Sequence, residues 1–154
     1  MKHSHLIYLA FVSVLTIGAS FCDKDGDIVC INNSNEMTKV KMKITVNAQT
    51  FTATLLDNNS AKAFNEMLPL TINMIELNGN EKYFNLQKSL PTNPSNPKTI
   101  KNGDLMLYGS ETLVLFYKTF STSYSYTKLG EVDDATSLAS VLGLRDTIVT
   151  FELE

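Results

Sequence analysis

Between Val40 and Val46 apolar and polar side chains alternate without a break. Val40, Met42, Ile44 and Val46 fall on one face, and Lys41, Lys43 and Thr45 on the other. Period two with one wet face predicts a half-buried β-strand. Asn47-Ala48-Gln49 makes a turn, and Phe51, Ala53 and Leu55 of "TFTATLL" carry the inward alternation on. The period then changes. In "NNSAKAFNEMLP", Ala61, Phe64, Met67 and Leu68 share one face at helical spacing. Asn59 or Ser60 can cap that helix by accepting a free first-turn N–H, and Pro69 stops it.

Strand patterning resumes at "LTINMIEL" and returns in "KYFNL". Asn78-Gly79 between them predicts a hairpin, because both residues tolerate positive φ. "SLPTNPSNPK", with Pro91, Pro94 and Pro97, reads as a surface loop. "KNGDLMLYGSETLVLFYK" is a second hairpin, with Asp104 fixing a turn after Gly103 and Gly109-Ser110 suited to a type II′ turn. Thr112 to Tyr117 is nearly all apolar, so that strand is expected to be covered on both faces. "DDATSLASVLG" predicts a short helix capped by Asp134, burying Leu138, Val141 and Leu142 and ending at Gly143. "DTIVTFELE" closes as a strand. About eight strands and two short helices, with no βαβ alternation, predict a mainly antiparallel all-β barrel whose ends the helices plug.

One stretch offers candidate chemistry. "FYKTFSTSYSYTKLG", from Phe116 to Gly130, interleaves rings with hydroxyls, holds two lysines and lacks an acid. Read as structure, it is a strand rich in tyrosine and threonine, both of which favour sheets. Read as function, Thr119 to Ser123 is a surface loop beside a pocket. The candidate ligand-binding residues are then Tyr108, Lys118, Phe120, Ser121, Ser123, Tyr124 and Tyr126. Lys118 or Lys128 would supply a charge, and Tyr83 is a further candidate for the far wall. Rings with polar tips are what a small-molecule or peptide pocket requires. Alternation puts Tyr124 and Tyr126 on one strand face, with Ser125 and Thr127 on the other.

The amino-terminal end narrows the setting. Lys2 precedes an apolar run from Leu6 to Ala19, too short for a bilayer span of about 20 residues. Small residues follow, so residues 1–22 are expected to be a secretory signal peptide, removed from the fold. Two processing outcomes stay open: lipidation at Cys22, or cleavage near Ser20 giving a soluble secreted protein. Phe21 departs from the small residue usual before an acylated cysteine. Residues 23–37, acidic and Asn-rich, read as a flexible tether, and 38–154 as the domain. An extracytoplasmic location follows, periplasmic or secreted or as an outer-membrane lipoprotein, with membrane contact only through a lipid anchor.

Subtraction excludes much chemistry. His3 and His5 both lie in the leader, tryptophan is absent, and Arg145 is the single arginine. A Ser-His-Asp or Cys-His machine and a histidine-ligated metal site are therefore ruled out. No metal or other cofactor is expected. Removing the leader moves the net charge from −3 to −4, since Lys2 goes and no acid does, which argues against nucleic acid as a partner. Cys30 has no second cysteine in the mature domain for a disulfide.

"MKITVNAQTFTATLLDNNSAKAFNEMLPLTI", the "LPTNP" loop, "GDLMLYGSETLVLFYKTFSTSYSYTKLG" and "VTFEL" resemble the bacterial cyclophilin-like domain family over roughly Lys41 to Leu153. The resemblance implies a closed eight-stranded cyclophilin-like barrel with two short capping helices, and no assigned activity, because fold and function separate. True cyclophilins isomerise peptidyl-prolyl bonds with an arginine beside the prolyl nitrogen and a pocket of phenylalanine, tryptophan and histidine. The barrel lacks the arginine, tryptophan and histidine, so the expectation leans away from an enzyme. The leading expectation is an exported, non-catalytic module holding a small molecule or extended peptide beside residues 118–126. The alternatives are a prolyl isomerase or chaperone with an altered site, or an accessory partner of an envelope or redox complex.

Overall fold

The computed structural model describes residues 39–154. The expected leader 1–22 with Cys22, and the tether 23–37, lie outside the described residues. Among the described residues the chain forms ten strands and two helices. In order they are β1 (Lys41–Val46), β2 (Gln49–Leu55), α1 (Asn59–Asn65), β3 (Leu70–Leu77), β4 (Glu81–Asn85), β5 (Thr99–Ile100), β6 (Asp104–Tyr108), β7 (Thr112–Phe116), β8 (Phe120–Ser121), β9 (Thr127–Val132), α2 (Leu138–Leu142) and β10 (Thr147–Leu153). Eight strands close into a barrel in the order β1-β10-β3-β4-β7-β6-β9-β2, and β5 pairs with β8 in a separate two-stranded sheet. Every pairing is antiparallel. Closure leaves the barrel no free edge. None of the described helices is long and apolar enough to cross a membrane.

Alternation decides what fills the interior. Met42, Ile44 and Val46 of β1, Phe51, Ala53 and Leu55 of β2, and Leu113 and Leu115 of β7 are buried in one cluster. The helices complete it. Phe64 of α1 meets Phe151 of β10 edge-on with ring centroids 5.8 Å apart, and Leu138 and Leu142 of α2 are buried in the same cluster. α1 joins the end of β2 to the start of β3, and α2 joins the end of β9 to the start of β10. The registers place those junctions at opposite ends of the barrel. At Gly130 the backbones of β9 and β2 come so close that a Cβ would stand 2.5 Å from the Thr54 carbonyl oxygen, so only glycine fits.

Local details differ from the sequence expectation where several polar residues compete for one role. Asn58 caps α1, not Asn59 or Ser60; its Oδ1 accepts the Ala61 N–H at 2.8 Å. Asp134 does not cap α2. It accepts the Thr136 N–H at 3.0 Å in the turn before it, and Ser137 takes the cap position without a side-chain bond. Asp104 does fix its turn, accepting the Lys101 N–H at 2.8 Å. Asn78 (φ 57°) and Gly79 (φ 65°) turn the β3–β4 hairpin in the left-handed region. The β6–β7 connection is three residues, 109–111, rather than the expected two, with Gly109 at φ 61°.

β7 is covered on both faces, as its apolar run requires. Outside the barrel wall, Met106, Val114 and Phe116 pack with Ile100 and Tyr126 in a second, smaller core. β5, β8 and the Pro-rich loop supply its cover.

A polar cluster closes the α2 end. Lys82 has no exposed surface, and its ammonium donates to Glu76 and to the carbonyls of Gly143 and Arg145, both at 2.8 Å. Tyr117 donates its hydroxyl to the Glu76 carboxylate at 2.8 Å, and the Gly79 N–H donates to the same carboxylate at 2.8 Å. The ammonium also stands 5.3 Å from the Tyr117 ring centroid. All three lysine protons are matched, the condition under which a buried charge is tolerated. Burial pushes the Glu76 carboxyl up, but the bonds from Lys82, Tyr117 and Gly79 outweigh it and hold its pKa below the ordinary value. Burial and the Glu76 charge push the Tyr117 hydroxyl well up.

A carboxylate whose folded pKa is depressed contributes stability that is present above its unfolded pKa and lost as pH falls through the folded value. The urea midpoint is therefore expected to drop on acidification below about pH 4, and to drop less steeply in Glu76→Gln. Parallel acid branches for the two proteins would remove Glu76 from this account.

Candidate binding cleft

The outward parity of three neighbouring strands builds a floor. On β4, Lys82 points in, so Glu81, Tyr83 and Asn85 point out; on β7, Thr112 and Val114 do the same, and on β6, Tyr108. The tip of the β3–β4 hairpin, with Leu77, Asn78 and Asn80, rises on one side. Residues 120–124 and Tyr126 rise on the other. Between them lies an open cleft of about 510 Å³, within the range of small-molecule sites.

The second wall is tied down by its neighbour in space. Phe120 and Ser121 pair with Ile100 and Thr99 as β8 and β5. The Thr122 N–H donates to the Lys98 carbonyl at 3.0 Å, and Asn96 Nδ2 donates to the Ser123 carbonyl at 2.9 Å. Ser95 and Tyr126 exchange two backbone bonds at 2.9 and 3.0 Å. The Pro-rich loop thus serves as the scaffold of the cleft wall.

Six of the seven candidate residues come together here: Tyr108, Phe120, Ser121, Ser123, Tyr124 and Tyr126, with Tyr83 beside them. Their rings form a connected row. Phe116 lies 5.7 Å from Phe120 and 5.5 Å from Tyr126; Tyr108 lies 5.6 Å from Tyr126 and 6.1 Å from Tyr124, the last pair edge-on. Tyr124 is 61% exposed and Tyr126 8%, so the row runs from solvent into the second core.

Four expectations need correction. Lys118 does not line the cleft; its ammonium lies near Gly79, 4.0 Å from where a Cβ would stand. Lys128 is also elsewhere, paired with Glu131 at 2.7 Å and with Asp104 at 2.9 Å. Tyr124 and Tyr126 are not neighbours on one strand face, because 122–125 forms no strand and β9 begins only at Thr127. Thr119–Ser123 is likewise not wholly loop, since it contains β8.

Sequence reasoning missed Glu81 and the hairpin tip. The available signal was parity: Glu81 shares its face with Tyr83. Burial, then the nearby Glu76 charge, pushes the Glu81 carboxyl above its ordinary value. Burial and Glu81 together raise the Tyr126 hydroxyl.

A smaller hollow of about 280 Å³ lies beside Thr52, Asp133 and Asp134. Asp133 is already engaged there, by Lys41 at 2.7 Å and the Thr54 hydroxyl at 2.6 Å. Among the described residues no three His, Cys, Asp or Glu side chains gather to hold a metal ion.

A closed antiparallel barrel with helix-plugged ends is matched by a model of the cyclophilin-like family over residues 44–154. The chain belongs to the cyclophilin-like family. Comparison with curated proteins finds no match. Among solved structures, the solution structure of a hypothetical protein from Archaeoglobus fulgidus is similar, with a TM-score of 0.59 and 15% identity. That likeness covers 75% of this chain and 95% of the archaeal one. At that identity it speaks for the fold alone.

Within this cyclophilin-like barrel, Phe116 is the floor behind Phe120 and Tyr126 and has no exposed surface. Phe116→Ala is expected to cost about 3–5 kcal/mol in a urea titration. A near-neutral result would show that the second core does not hold the wall.

Proposed function

We propose that the barrel is an exported, non-catalytic binding module that holds a small molecule or an extended peptide in the cleft beside residues 118–126. The observation that carries this reading is the ring-lined cleft itself. A sizeable hollow bordered by Tyr83, Tyr108, Phe120, Tyr124 and Tyr126 is held open by main-chain bonds from a separate loop. Exposed rings in a concave wall gain free energy when an apolar surface covers them, and their hydroxyls can orient what binds.

The described lining of the cleft offers no cation of the kind that prolyl isomerisation uses. No arginine, lysine or histidine is among its lining residues. Arg145 lies in the turn before β10, where its carbonyl accepts from Lys82. Lowering the double-bond character of an X-Pro amide, whose barrier is roughly 20 kcal/mol, calls for a cation or strong donor at the prolyl nitrogen.

Replacing Phe120 and Tyr124 together by serine is expected to weaken binding of peptides or fragments that shift the cleft's amide resonances, by tenfold or more, on the order of the stacking lost, while the melting temperature moves by a few degrees. An unfolded double variant would assign the rings to structure alone. With the native protein present, a prolyl peptide should interconvert at its uncatalysed rate; acceleration abolished by Phe120→Ala would instead establish an isomerase.

Export is tested separately. If Cys22 is acylated, Cys22→Ser moves the protein from the membrane to the soluble fraction. A wild type already soluble, with an amino terminus at or before Asp23, would assign simple cleavage.

A further inference from the structure

The charge of the cleft comes from a single side chain. Among the described lining residues Glu81 is the one carboxylate, and none of them is basic. Ion pairs among the described residues engage Lys41, Lys43, Lys62, Lys82 and Lys128, and none of them reaches Glu81. Its chain neighbour cannot serve, because alternation turns Lys82 into the barrel, where Glu76 and two carbonyls take all its protons. A half-buried carboxylate without a partner is costly to keep charged.

The surroundings of Glu81 favour one sign of ligand. Tyr108 stands perpendicular to Tyr124 (89°) and tilted to Tyr126 (52°), and all three rings line the cleft. The face of an aromatic ring carries negative potential and attracts ammonium groups, most strongly where water is partly excluded. Among the described lining residues an anion would meet Glu81 and no cation, since the Lys118 ammonium stands outside them beside Gly79. A neutral ligand without a donor would bury the carboxylate further and give nothing back.

We propose that the cleft binds a small organic cation, an alkylammonium or quaternary ammonium group, seated between Glu81 and the rings of Tyr108, Tyr124 and Tyr126. This rests on the reading of the cleft as a binding site and names the class of its ligand. Recognition combines one charge contact with several ring faces, so it tolerates variation in the apolar remainder of the ligand. Folding raises the Glu81 pKa through burial and the Glu76 charge. That shift counts against the folded state at pH values above the ordinary carboxylate range, and a bound cation offsets it.

Choline and its neutral isostere 3,3-dimethylbutan-1-ol, titrated into the full chain at pH 7 and followed by cleft amide shifts, test the assignment. Choline is expected to bind about tenfold more tightly than the isostere. Glu81→Gln is expected to remove that preference while remaining folded, with a melting temperature no lower than wild type. Tyr124→Phe should keep choline binding and Tyr124→Leu should weaken it, which checks the ring contribution at an exposed site where folding is not at stake. If the isostere binds as tightly as choline, or Glu81→Gln leaves choline affinity unchanged, the cation assignment is overturned while the cleft remains a binding site. If neither probe shifts the cleft resonances, the cation assignment also falls, and the peptide and fragment titration judges the broader reading by itself.

Discussion

The buried ammonium of Lys82 is the constraint on which the α2 end of the barrel and the hairpin wall of the cleft depend. A lysine inside a barrel survives only if each proton has an acceptor, and here the three acceptors come from two segments of the chain. Glu76 belongs to β3, and the carbonyls of Gly143 and Arg145 belong to the connection from α2 to β10. One charge thus ties the wall to the segment that closes the barrel's end. Glu76 passes the constraint on. It accepts from the Gly79 N–H and fixes the tip of the hairpin whose neighbours Asn78, Asn80 and Glu81 border the cleft. A buried pair of this kind is weak evidence for net stability, but losing one partner leaves the other stranded.

The cleft lies on the outside of the barrel because the inside is full. Side chains from all eight strands and both helices occupy the interior. The hollow lies on the outer surface instead, bordered by a second apolar layer. β7 provides it by being apolar on both faces: Leu113 and Leu115 point in, Val114 and Phe116 point out. The β5–β8 pair and the Pro-rich loop cover that outer layer incompletely, and the gap they leave is the cleft. The cover can vary in sequence without disturbing the closed barrel, one physical route by which a shared fold carries different sites.

The strands were legible because burial on one face imposes period two directly on the residue order. β1 and β2 follow the expected pattern nearly residue for residue, with Met42, Ile44, Val46, Phe51, Ala53 and Leu55 buried. Caps were less legible. Asn58, Asn59 and Ser60 are chemically similar candidates, and which one caps depends on where the chain leaves β2. The segment after Phe116 was legible as a break in pattern, and its rings do gather with Tyr108 at the cleft. Its charge was not. Lys118 stands in the same stretch of sequence as Phe120 and Tyr124, yet the structure carries it toward Gly79. Glu81, nearly forty positions before them, faces the rings instead.

Residue order alone settled the properties that act locally or by period: strand faces, the Asn78-Gly79 turn, the doubly covered β7, and the absence of histidine from the domain. Only the tertiary structure decided which distant residues share a surface. Ser95 meets Tyr126, Ile100 meets Phe120, and Glu81 stands opposite Phe116 because barrel closure and register bring those positions together. An ionisable side chain's role depends on its partners in space. Neighbours on one strand, Glu81 and Lys82, therefore face opposite sides of the wall: one carboxylate turns outward into the cleft, and one ammonium is locked within.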